Sequence, residues 1–197
     1  MVEVLAVVVI LVIIATIVTT VWIHVDSASR DQAREAETDL WINTFETYRS
    51  NFAIWPAMPV NSATPTTMCL GNFSSYSNKC GQYGSSTATR YINASGSAYN
   101  NMLSAVDRIG FVPVNTTEPT NNSLVGPLLY VTQNSNSAPI TVTGRFFHFF
   151  NRECPDGWTE YFTSPGSPAL PSSISQILTG TGAHACAKTE QFTYSPT

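Results

Sequence analysis

The chain has 197 residues and a formal net charge of -4, with 9 Lys+Arg against 13 Asp+Glu. That length holds one membrane-length element and one compact domain of about 120–150 residues, and two full domains would be a squeeze. So few basic groups leave no stripe for a nucleic-acid duplex or an anionic lipid surface. Charge is also placed unevenly: Glu3 stands alone, nine charged residues fall between Asp26 and Arg49, and twelve occupy the remaining 148 positions.

The first element, residues 1–25, is an apolar helix. From Val4 to Ile23 twenty consecutive residues carry no charge, interrupted only by Thr16, Thr19 and Thr20. At 1.5 Å per residue such a run covers about 30 Å, the thickness of a bilayer's hydrocarbon core. A cleaved signal peptide starts with positive charge, has a shorter apolar region and ends in a small-residue cleavage site. Here the start is acidic and "VWIHVDSASR" is a poor match to such a site, so the run reads as retained. Glu3 at its mouth is compatible with a headgroup position and with the favourable field at a helix N-terminus, worth about 0.3–1 kcal/mol.

The second element, residues 26–56, continues the same helix, because neither Gly nor Pro occurs from Met1 to Trp55. Ala33, Ala36, Leu40, Trp41, Phe45, Tyr48 and Phe52 make one broad stripe of period 3.6, predicted to pack on a domain. Arg30, Asp31, Arg34, Glu35, Glu37, Asp39, Glu46 and Arg49 are expected mostly off it. Pairs at i,i+3 spacing such as Asp31/Arg34 and Glu46/Arg49 add a few tenths of a kcal/mol each. "WPAMP" ends a helix of about fifty residues with two prolines.

This arrangement resembles the type IV pilin superfamily, whose members share a spine helix with an apolar, Glu-led first half and a second half packed on a strand-rich domain. "MVEVLAVVVILVIIATIVTT" looks like that family's apolar segment, with Glu3 matching its glutamate. "SRDQAREAETDLWINTFETYRSNFAIWP" looks like its amphipathic continuation. Family members carry the glutamate at the fifth mature position, so two residues ahead of Met1 would bring the registers together. The resemblance implies a filament in which Glu3 neutralises the α-amino group at Met1 of an adjoining subunit. It also implies a head that often carries a late disulfide.

Residues 57–197 read as that head. Its first part, 57–110, looks like an irregular connection from Val60 to Ser97 followed by a short helix. "SAYNNMLSAVDRIG" places Tyr99, Met102, Leu103, Val106 and Ile109 at helical spacing, with Gly110 as the stop. The second part, 111–197, has strand candidates at "FVPVN", "GPLLYVTQ", "PITVTGRFFHFFNREC" and "GWTEYFTS", with "AHACAKTEQFTYS" expected as an edge strand. The predicted class is α+β: a long N-terminal helix packed on an antiparallel sheet of about four or five strands.

Cys69, Cys80, Cys154 and Cys186 all follow the apolar run, as disulfides made outside the cytoplasm would. Four cysteines allow three pairings. Cys69–Cys80 and Cys154–Cys186 are favoured, the first closing a short loop and the second joining late strands. No C-x-x-C or H-x-x-x-H spacing points to zinc, and no metal or cofactor is expected. Sequons at Asn72, Asn93, Asn115 and Asn121 are candidate glycosylation sites on an exported surface.

No catalytic residue is assigned. His24, His148 and His184 have no nucleophile, Walker or zincin motif around them, and the chain is read as no enzyme. The aromatics of "RFFHFF" could stack on sugars or bases, but their alternation favours a core strand. The functional expectation is a structural subunit, the major one, of an extracellular type IV pilus that supports adhesion or twitching motility. It would reside in the cytoplasmic membrane before assembly and on the cell surface afterwards. Its partners would be identical subunits, the assembly machinery and a host or surface receptor, with no nucleic acid. A secretion pseudopilin is the neighbouring reading. A single-pass anchored adhesin or carbohydrate-binding domain is the reading from another class.

Overall fold

The computed structural model describes residues 2–56, 58, 65–71, 79–83, 90–93, 97–113, 127–134, 139–150, 152–161 and 184–194. Helix α1 (Val2–Phe52) runs unbroken for 51 residues, about 75 Å at the helical rise. With no Gly or Pro to interrupt it, nothing local stops propagation until Ala53, which takes a left-handed conformation at φ 58°. Its N–H donates to the Arg49 carbonyl at 2.7 Å, a capping geometry that usually falls to glycine.

After α1 come β1 (Thr66–Cys69), β2 (Lys79–Tyr83), β3 (Arg90–Asn93) and α2 (Ser97–Asp107). β4 (Leu128–Gln133), β5 (Ile140–Phe150), β6 (Thr159–Tyr161) and β7 (His184–Tyr194) follow. Five strands form one antiparallel sheet in the order β1-β4-β5-β7-β6, and β2 pairs with β3 separately. The protein therefore has the expected plan: a long N-terminal helix, apolar in its first half, and an antiparallel sheet behind it.

Three expectations need correction. The stretch after Pro59 is not an irregular connection, since it contributes β1 to the sheet edge and the β2–β3 pair. Thr66 and Thr67 favour extended backbone, but the surrounding Pro, Ser and Asn conceal so short a strand. Phe111–Pro113 forms no strand, and the rest of "FVPVN" lies outside the described residues. β7 is not an edge: it lies between β5 and β6, with Ala185, Cys186 and Ala187 buried. Small side chains there give little hydrophobic signal in the sequence yet fit an interior strand.

Even-numbered residues of β5 face α1. Phe146 packs on Phe45 at 5.8 Å between ring centroids, and Phe192 of β7 reaches both Phe45, at 6.2 Å, and Trp55, at 4.8 Å. Gly144 is required at this layer, because a Cβ would sit 2.5 Å from the Phe192 ring. The opposite face also buries Leu128, Phe147 and Phe149, with Phe147 edge-on to Tyr161 at 4.9 Å. Burial on both faces explains the nearly continuous aromatic run of β5 and makes it core. α2 adds Met102 and Val106, and the Arg108 guanidinium lies 4.6 Å above the Phe52 ring, joining the two helices. Gly110 follows as the expected stop, at φ 81°. Tyr194 donates its hydroxyl to the Pro56 carbonyl at 2.9 Å, tying the last strand to the end of α1, and its burial raises the phenol pKa.

Cys154 and Cys186 are disulfide-bonded, with Cα atoms 5.6 Å apart. Cys69 ends β1 and Cys80 lies in β2, but their side chains are outside the described set, as is any bond between them.

Candidate functional site

Two surfaces of α1 set what the protein can do: its uncovered apolar half and the seam that fixes its other half to the sheet. In the first, fourteen large apolar side chains between Val4 and Val25 are 49–74% exposed. At about 25 cal/mol per Å2, leaving them in water costs on the order of 20 kcal/mol. The stretch is long and apolar enough to cross a membrane by length and composition. Thr16 and Thr19 fit such an environment, because their hydroxyls are satisfied within the helix. Thr16 donates to the Ile13 carbonyl at 2.8 Å, and Thr19 to those of Thr16 and Ala15 at 2.9 and 3.1 Å. Asp26 and Arg30 then pair at 3.0 Å on an exposed flank, marking the return to water.

The seam divides into an aromatic and a polar part. Trp41, Phe45 and Tyr48 are buried as expected, but Ala33, Ala36 and Leu40 are exposed. Asp31, Glu37 and Thr38 are buried in their place, with Arg34 partly so. Stepping back from Trp41 by 3.6 residues per turn lands on Glu37 and Thr38, then Arg34, then between Arg30 and Asp31. That extrapolation would have found the polar residues, whereas sorting by residue type put them in solvent.

The sheet answers with its own polar groups. Arg34 bonds Asp31 at 2.8 Å, Arg152 approaches Asp31 at 3.6 Å, and His148 Nε2 faces Glu37 Oε2 at 3.5 Å. The Phe149 N–H donates to His148 Nδ1 at 2.9 Å, so the neutral ring carries its proton on Nε2, toward Glu37. Burial, and after it the charge of Arg34, lowers the His148 pKa to about 3. Among the described residues Arg34 Nε and Trp41 Nε1 are buried without a hydrogen-bond partner. Imperfect satisfaction of this kind makes the polar part the weaker part of the seam. Above it a cavity of about 520 Å3 opens between α1 and the turn after β5, lined by Asp31, Gln32, Glu35, Phe150, Arg152, Glu153 and Pro155.

The remaining predicted positions fall as follows. Glu3 lies in the first turn of α1, but its side chain and all of Met1 are outside the described residues, so their proposed pairing is too. Asn72, Asn115 and Asn121 are outside as well, and Asn93 ends β3 without a described side chain. His24 is exposed on α1, and His184 Nδ1 lies 2.5 Å from Glu160 Oε1 between β7 and β6. Among the described residues no three His, Cys, Asp or Glu side chains form a metal-holding group. Comparison with protein-family models, curated proteins and solved structures finds no match to this chain.

Proposed function

We propose that this chain is a structural subunit, the major pilin, of an extracellular type IV pilus. The observation that carries the reading is the division of one unbroken helix: residues 31–52 are clamped on the sheet, while the uncharged run before them stands free. A helix apolar on every side needs lipid around it before assembly, and can exchange lipid for identical helices afterwards. Repetition of one heterologous contact then yields an open filament. In that bundle Glu3 pairs with the amino group at the start of the adjoining helix, where low dielectric strengthens the attraction and sets the axial register. Adhesion and twitching motility are the activities such a filament would support.

The test is mass spectrometry of filaments sheared from cells, with and without Glu3→Ala. The chain should dominate the wild-type filaments, and Glu3→Ala should leave it in the membrane. Absence from wild-type filaments would favour an anchored monomer, and normal filaments from Glu3→Ala would remove the docking role of that carboxylate.

A further inference from the structure

Beside the aromatic and polar seam, the head carries two features whose charge is not balanced among the described residues. Arg145 lies at the middle of β5 and, being odd-numbered, projects from the sheet face opposite α1. It is partly buried, between Tyr130 of β4 and Thr189 of β7 in the sheet register. Among the described residues it makes no hydrogen bond or ion pair. Thr132, Thr141, Thr143, Gln191 and Thr193 share this face by strand alternation, and none is a carboxylate. A central-strand guanidinium with no anion beside it among the described residues is an unusual choice for a face of hydroxyls and amides.

The second feature lies on the other side of the sheet. Asp39 and Glu46 are seven residues apart, two turns along the same flank of α1. Lys188 of β7 bonds Asp39, at 2.7 Å, and the same ammonium is the cation beside Glu190, so one lysine faces three carboxylates, Asp39, Glu46 and Glu190. Their crowding shows in Glu190, whose pKa is raised first by burial and next by the charge of Glu46. Two like charges held at one place are an unfavourable arrangement that an incoming cation would relieve.

We propose that Arg145 of one head docks on the Glu46–Glu190 pair of the next, so that neighbouring copies of this chain are joined by a heterologous charge contact. This rests on the filament reading above. The two patches are complementary, differ from each other and lie on opposite faces of the sheet, so satisfying one copy exposes the same need on the next. Such a contact passes from copy to copy instead of closing as a symmetric pair, and within the filament reading it runs as an open row. Charge complementarity would also select the register in which heads meet, because a slipped neighbour places Arg145 on neutral hydroxyls.

Charge reversal with rescue tests it in cells, using the full chain. Arg145→Glu, and separately Glu46→Lys with Glu190→Lys, should each lower the chain recovered in sheared filaments by about tenfold or more. The combination of all three should recover to within about twofold of wild type. Equal membrane pools and an intact Cys154–Cys186 bond control for folding. Undiminished filaments from either reversal would overturn the contact, as would loss without recovery in the combination, which assigns the residues a purely structural part. Unchanged Arg145→Glu filaments that no longer bind beads coated with a carboxylate-bearing polysaccharide would overturn it in favour of that ligand. A wild-type chain missing from sheared filaments would instead sink the filament reading itself.

Discussion

Acidification should loosen α1 from the sheet, and His148 is the group that makes the magnitude calculable. In the unfolded chain its imidazole takes a proton near pH 6.5, whereas in the folded protein it resists until about pH 3. The unfolded state therefore binds more protons between those values, so stability is complete above pH 6.5 and declines as the pH falls toward 3. At 1.36 kcal/mol per unit, the loss from this group reaches about 2 kcal/mol at pH 5 and about 3 kcal/mol at pH 4. Urea titration of the detergent-solubilised chain can follow it through the fluorescence of Trp41 and Trp55, which lie on the interface. Carboxylates and the other histidines titrate over the same range, so the informative quantity is the difference from His148→Gln, which keeps a donor toward Glu37 but takes no proton. Wild type should lose about 3 kcal/mol more than the variant between pH 7 and pH 4. Parallel profiles would refute the account, because they would mean His148 meets the same environment folded and unfolded.

Gly144→Ala should destabilise by about 1–3 kcal/mol, since its Cβ would strike the Phe192 ring and crowd the Leu129 side chain at 3.2 Å; thermal unfolding reads the loss, and an unchanged midpoint would contradict the packing described. Replacing Cys154 and Cys186 by Ser opens a bridge spanning 32 residues, for which chain-entropy reasoning gives about 3–4 kcal/mol, measurable as a lower urea midpoint with the slope retained.

The parts of the fold that were legible in the sequence are those carried by a single dominant signal. An unbroken run without Gly or Pro gave α1, five periodic positions gave α2, and dense aromatics gave β5. What stayed hidden depended on partners distant in the chain. Asp31 and Glu37 read as solvated because their type outweighs their position, yet they continue the face of Trp41 and Phe45. Only the arrival of His148 and Arg152 from the sheet makes their burial tolerable. β7 was misplaced for the converse reason, since Ala185 and Ala187 are buried by what surrounds them and not by their own hydrophobicity. Arg145 is legible as a charge in the sequence, but its isolation appears only once strand register shows which residues share its face.

The unbroken course of α1 also makes it an indexing shaft. Each residue advances the helix by 1.5 Å and turns it by 100°. A single residue inserted between Asp26 and Arg30 would therefore swing Arg145 and the Glu46–Glu190 pair through more than a quarter-turn relative to the apolar half, while lifting them hardly at all. Seven inserted residues would restore their heading to within about 20° but raise them about 10 Å. Any surface on the head is thus aimed by residue count along the stem, and a length change that leaves every side-chain contact of the head intact would still point it the wrong way.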